Sequence, residues 1–187
     1  TYVAAGFTAL KLKAGDNEAA DIAAINAVCA AVGPTISVKV DANQAWTVSQ
    51  TLRIAAQLRA PNLIAIEQPV PDWQLLSLPL LRAQSPVALM LDESIHNAHD
   101  AADAIRLNAA DLINIKLAKS GGLFGAAAID ATSAAAGVPC MVGRNAETRL
   151  GTAASAHFLA AHENVPYGDI YSFMLLATTY GSTSAST

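Results

Sequence analysis

Seven short apolar runs alternate with longer, alanine-rich stretches along the chain. The runs are Leu10–Lys13, Ile36–Asp41, Leu63–Glu67, Val87–Asp92, Leu112–Lys116, Cys140–Gly143 and Tyr167–Ile170. They are apolar throughout rather than at every second position, which predicts strands covered on both faces. The intervening spacing predicts helices over about Glu18–Val32, Thr47–Leu58, Trp73–Gln84, Ala98–Leu107, Phe124–Ala136 and Thr148–Ala161. Gly33-Pro34 and Gly137 stop two of them, and Thr47 is placed to cap another. The Ser/Thr-rich stretch 178–187 predicts a flexible tail on a single domain spanning 1–187.

Strand–helix alternation of this kind predicts parallel pairing with right-handed crossovers. Polar residues gather at the C-terminal ends of several strands, which points to an α/β fold of the (β/α) TIM-barrel type. A doubly wound sheet would gather its site at one switch point, usually beside a glycine-rich phosphate loop. Gly121-Gly122 is no such loop and reads as a turn.

The polar exceptions carry the chemistry. Asp41, Glu67 and Asp92 end three successive strands, 26 and 25 residues apart, one βα unit each. On parallel neighbours they meet at one rim. Three carboxylates there repel one another, and a cation offsets the repulsion. Oxygen donors without histidine or cysteine favour Mg2+ or Mn2+ over zinc. Lys11 and Lys13 share one strand face, either the lumen of a barrel or a solvated edge. Lys116 follows the apolar run LINI, where a lysine is costly to bury without a partner or a task. Burial and neighbouring positive charge bring lysines toward the range of a general base.

Other polar residues read two ways. Asn43 and Asn114 lie two residues from a proposed site residue; each either orients a water or substrate or caps a strand end. Glu93 either pairs with a lysine or is structural. Gln68-Pro69 predicts a tight turn, cis or trans. His96, His99, His157 and His162 read as surface residues, and Trp46 and Trp73 as packing residues.

Composition narrows the partners. Net charge is −4 with no basic cluster, which argues against nucleic acid. No run approaches the roughly 18 uncharged apolar residues of a membrane span. Residues Thr1–Gly6 lack a signal-peptide pattern, and the two cysteines, Cys29 and Cys140, read as buried thiols, so a cytoplasmic setting is expected.

The segments GFTALKLKAG, VKVDANQAW, IEQPV, LDES, INIKLAKSGG and MVGRNAETRLG together resemble the enolase superfamily, in its muconate-lactonizing-enzyme-like subgroup. The resemblance covers Gly6 to about Asp169. It implies a modified (β/α) barrel and abstraction of the proton α to a carboxylate, with Mg2+ stabilising the resulting enediolate. It implies Asp41, Glu67 and Asp92 as metal ligands, Lys13 and Lys116 as the acid/base pair, and Lys11 as the residue that tunes Lys13. Two such lysines suit 1,1-proton transfer.

INIKLAKSGG and MVGRNAETRLG look most like dipeptide epimerases of the Ala-Glu type. The small-molecule substrate implied is a dipeptide or an N-acyl amino acid. An Asp-x-Asp motif on the last strand holds the dipeptide ammonium group in those enzymes. Here it reads Asp169-Ile170-Tyr171, so Tyr171 replaces the second acid. Arg144 and Asn145 stand where the family is more often small or apolar, and Arg144 reads as a carboxylate binder or a surface charge.

The chain opens ahead of LKLK without the family's capping domain or first barrel strand, so a truncated barrel of about seven strands is expected. Open edges would favour homo-oligomers. Two alternatives follow: a lyase such as an o-succinylbenzoate synthase or a cycloisomerase, and an inactive fragment serving as a self-association module.

Overall fold

The computed structural model describes residues 2–171. The expected tail at 178–187 lies outside them. Seven strands alternate with six α-helices: β1 Ala9–Lys13, α1 Glu18–Val32, β2 Ser37–Asp41, α2 Val48–Gln57, β3 Leu63–Glu67, α3 Leu78–Gln84, β4 Leu89–Leu91, α4 Ala98–Arg106, β5 Leu112–Ile115, α5 Gly122–Ala135, β6 Cys140–Val142, α6 Arg149–Ala161 and β7 Tyr167–Gly168. Single 3₁₀ segments cover Val3–Ala5 and Asp72–Ser77. The chain divides into two compact units, Thr1–Ser94 with Asp103–Leu112, and Ile95–Ala102 with Ile113–Thr187.

In the first unit β1 pairs with β2, β2 with β3 and β3 with β4, all parallel. The register sets Lys13 beside Asp41, Lys11 beside Lys39, and Asp41 beside Glu67. Val38 and Val40 are buried, and so are Lys39 and Asp41, which alternate with them, so both faces of β2 are covered. Ile54, Ile66, Leu78, Leu81 and Leu91 complete this core. Asn62 ties α1 to β2: its amide donates to the carbonyls of Cys29, Gly33 and Ile36 at 3.2, 2.9 and 3.0 Å.

Capping sets the helix starts. Asn17 accepts from the N–H groups of Ala19 and Ala20, and Thr47 forms a full capping box with Gln50. Asp21, in the first turn of α1, accepts from the Gly15 N–H at 3.0 Å and the Trp46 indole at 3.1 Å. Gly15 has φ +125°, and a Cβ there would stand 2.6 Å from the Ala45 Cβ. A glycine is required at that position.

In the second unit β5, β6 and β7 pair in parallel, with Ile115 beside Val142 and Val142 beside Gly168. Ile113, Ile129, Val142 and Phe158 form its core.

Three expected elements differ. The helix expected over 73–84 begins as a 3₁₀ segment, and α3 starts only where Pro79 fits its first turn. The expected strand 87–92 shortens to β4, because Ser85 accepts from the Val87 N–H while Asp111 accepts from that of Leu89. The last strand ends at Gly168 rather than Ile170. Trp46 is buried as expected, whereas Trp73 is 77% exposed and packs no core. His162 is half-buried and stacks on Phe158, with ring centroids 3.9 Å apart, rather than lying free on the surface. Cys29 and Cys140 are buried free thiols, as expected.

Candidate active site

The parallel register of β1, β2 and β3 brings the first unit's ionisable residues together at their C-terminal ends. Asp41 closes β2, Glu67 closes β3, and Asp92 follows β4. All three have no exposed surface. The Lys13 ammonium lies 2.6 Å from Asp41 Oδ2, and that of Lys11 lies 3.5 Å from the same oxygen. Lys11 also stands 3.9 Å from Glu67 Oε2. Both lysines therefore reach the Asp41 carboxylate, Lys11 half-buried and Lys13 from an exposed position.

Burial pushes the Glu67 carboxyl up from the usual carboxylate range; Lys39 and Lys11 pull it back, and the charge on Asp41 adds to the rise. A cation offsets the same burial cost. Three buried carboxylates are a hard-oxygen donor set of the kind that suits a divalent ion such as magnesium. As the side chains stand, no three His, Cys, Asp or Glu groups among the described residues are drawn together in a metal-holding arrangement. Asp41 and Glu67 instead face ammonium groups.

Sequence reasoning passes over two residues here. Lys39 is buried, with its ammonium 2.8 Å from Glu67 Oε2 and 3.9 Å from the Met90 sulfur. Its one signal in the sequence is that it lies two residues before Asp41 and so on the same strand face. Gln68 is fully buried with φ +35°. Its side-chain oxygen accepts from the N–H groups of Asp92 and Ser94 at 2.9 and 3.2 Å, and its amide donates to Ser94 Oγ at 2.8 Å. Gln68 thus holds the segment that carries Asp92. The Gln68-Pro69 turn is made by this backbone twist and not by a cis bond.

Asn43 joins the cluster, but as a partner of protein groups. It accepts from the Lys13 ammonium, donates through its amide to Glu93 Oε1 at 3.1 Å, and donates its backbone N–H to Asp41 Oδ1 at 3.0 Å. Glu93 therefore reaches Lys13 through Asn43.

The second unit holds the other candidates. Lys116 follows β5 and is half-buried; its carbonyl accepts from the N–H groups of Lys119 and Ser120 as the chain turns away. Asn114 is fully buried against Gly143. A Cβ at Gly143 would stand 2.3 Å from Asn114 Oδ1, so the glycine makes room for that side chain. Asn114 is as fully covered as Asp41, Glu67 and Asp92. Arg144 Nε lies 3.4 Å from Asp169 Oδ1, and its guanidinium sits 4.4 Å from the centroid of the Tyr171 ring. It is thereby a partnered residue, not a surface charge. Asn145 is exposed. No helix among the described residues is long and apolar enough to cross a membrane.

The chain is 37% identical over 180 residues to the L-Ala-D/L-Glu epimerase of Bacillus subtilis, covering 95% of the chain and 49% of that protein. It is 39% identical over 166 residues to the hydrophobic dipeptide epimerase of Enterococcus faecalis, covering 88% of the chain and 47% of that protein. The chain thus spans about half the length of the curated relatives it matches. Among solved structures, the Enterococcus faecalis dipeptide epimerase complexed with Mg and L-Leu-L-Tyr superposes with a TM-score of 0.92 at 37% identity, covering 95% of this chain and 51% of that one. The fold class is therefore the TIM-barrel type of these neighbours. The family described as enolase C-terminal domain-like matches residues 1–182, and the chain belongs to that family.

Proposed function

We propose that the chain carries the proton-transfer site of a magnesium-dependent dipeptide epimerase. The observation that carries this reading is the set of lysines gathered around buried carboxylates at the ends of β1, β2 and β3, in a chain whose relatives are named dipeptide epimerases. Asp41, Glu67 and Asp92 would hold the magnesium ion. When bound, magnesium supplies a fixed positive charge for the negative charge that develops on the substrate carboxylate. Lys13 and Lys116 exchange the α-proton, one removing it from one substrate hand and the other returning it to give the opposite hand. Lys11 sets the charge around Lys13 and Asp41.

A second substrate class, N-acyl amino acids, is favoured by one observation. Asp169 is already balanced by Arg144, which stacks on Tyr171. A carboxylate neutralised in this way attracts a substrate ammonium less, so a blocked amino group is tolerated.

The test is solvent-deuterium exchange at the α-carbon, across a library of dipeptides and N-acyl amino acids, with and without magnesium. Exchange that needs magnesium and is lost when both lysines are changed supports the reading. Exchange that survives chelation, or survives Lys13→Ala combined with Lys116→Ala, overturns it.

A further inference from the structure

Lys13 is the most exposed cation of the cluster, with 61% of its side chain open to solvent. A lysine ammonium on a four-carbon stem does not hold one direction unless its acceptors do. Asp41 Oδ2 supplies one acceptor and Asn43 Oδ1 the other. An amide side chain can present either its oxygen or its NH2 group. At Asn43 the choice is made by Glu93: a carboxylate only accepts, so the Asn43 NH2 group turns to Glu93 Oε1 and the Asn43 oxygen turns to Lys13. The second oxygen of Glu93 is buried and accepts no hydrogen bond, so the carboxylate is committed to Asn43.

The backbone is bent to make this pairing. Asn43 and Gln44 have φ +43° and +69°, two successive left-handed residues that are not glycine. Such residues persist only where their surroundings over-determine them, and they gather at functional sites. The bend is held by the Gln44 N–H on the Gln68 carbonyl at 2.8 Å, and by the Asp72 N–H on the Gln44 side chain at 2.9 Å. Glu93 is fixed from its own side, because Gln68 grips the N–H groups of both its neighbours, Asp92 and Ser94.

We propose that Asn43 and Glu93 are a positioning pair that aims the Lys13 ammonium, and so serves one of the two proton transfers and not the other. The inference rests on Lys13 acting as an acid/base group. Its test separates the two hands of the substrate.

Each hand of an α-deuterium-free dipeptide is followed in D2O with magnesium, and Lys13→Ala identifies the hand that Lys13 serves. Glu93→Gln offers Asn43 either a donor or an acceptor and removes its preferred direction. It is expected to slow exchange of that hand about tenfold or more, the scale of a small misplacement of a catalytic group, and to leave the other hand unchanged. Asn43→Gly removes the side chain and suits the positive φ. It is expected to give the same one-handed loss with no fall in urea stability. Equal slowing of both hands, or no slowing of either, overturns the positioning role. If wild-type protein exchanges neither hand, or Lys13→Ala changes neither, the functional reading fails and takes this inference with it.

Discussion

The ammonium of Lys39 lies 2.8 Å from Glu67 Oε2, with both side chains shut away from solvent. Neither charge is tolerable there alone, since an uncompensated buried charge costs several kcal/mol. Lys39→Met is therefore expected to lower stability by about 3 kcal/mol. Adding Glu67→Gln to Lys39→Met should recover part of that loss, because the buried charge that has lost its nearest ammonium goes with it, Lys11 standing farther off at 3.9 Å. Urea denaturation of the two single variants and the double variant checks this. Strict additivity of the two changes would show that the pair is not coupled.

Gly143 leaves room for Asn114. Gly143→Ala forces a Cβ into the Asn114 amide, with 2.3 Å to its oxygen, inside a fully packed region. A loss of about 1–3 kcal/mol is expected from overpacking. Asn114→Ala in the same chain should reduce the penalty of the glycine change. Thermal unfolding of the four proteins of this cycle measures it, and an unchanged penalty would place the strain elsewhere.

Burial pushes the Cys140 thiol up to about 12. Native protein at neutral pH is expected to leave Cys140 unalkylated by iodoacetamide, with full labelling after denaturation, read by peptide mass spectrometry. The pH dependence has a definite sign. The native thiol keeps its proton above pH 9.0, the ordinary thiol value, while the unfolded thiol loses it. Stability from this group is thus present below that value and lost as pH rises toward the native one, with a limiting slope of about 1.4 kcal/mol per pH unit. Cys140→Ala should flatten the alkaline loss relative to wild type.

Gly15 meets Ala45 at a positive φ, so it has two reasons to resist a side chain. Gly15→Ala is expected to lower stability by about 1–3 kcal/mol, through backbone strain and overpacking together. Gly15→Ala combined with Ala45→Gly removes the clash but keeps the strain, so chemical denaturation should show only partial recovery. Full recovery would assign the whole cost to the clash.

The parts of this molecule legible in sequence are those written in one strand or one cap. The run SVKVD gives a strand ending at Asp41, LIAIE one ending at Glu67, and Thr47 caps α2 as its position predicts. The spacing of Asp41, Glu67 and Asp92 marks three neighbouring strand ends because a parallel βα repeat has a fixed period. Lys39 is not legible as a buried cation, since its partner Glu67 comes from another strand and only register pairs them. The Asn43–Glu93 contact spans 50 residues and depends on left-handed backbone at Asn43, which nothing in the motif DAN dictates. The burial of Asn114 is hidden for the same reason: the glycine that accommodates it follows β6, one βα unit away.

The proposed proton-transfer site requires Asp41, Glu67 and Asp92 to grip one divalent cation. Calorimetric titration of the protein with magnesium tests it most directly. One ion is expected to bind per chain, weakened about tenfold or more by each of Asp41→Asn, Glu67→Gln and Asp92→Asn. Magnesium bound equally well by the triple variant, or no binding by wild type, would contradict it.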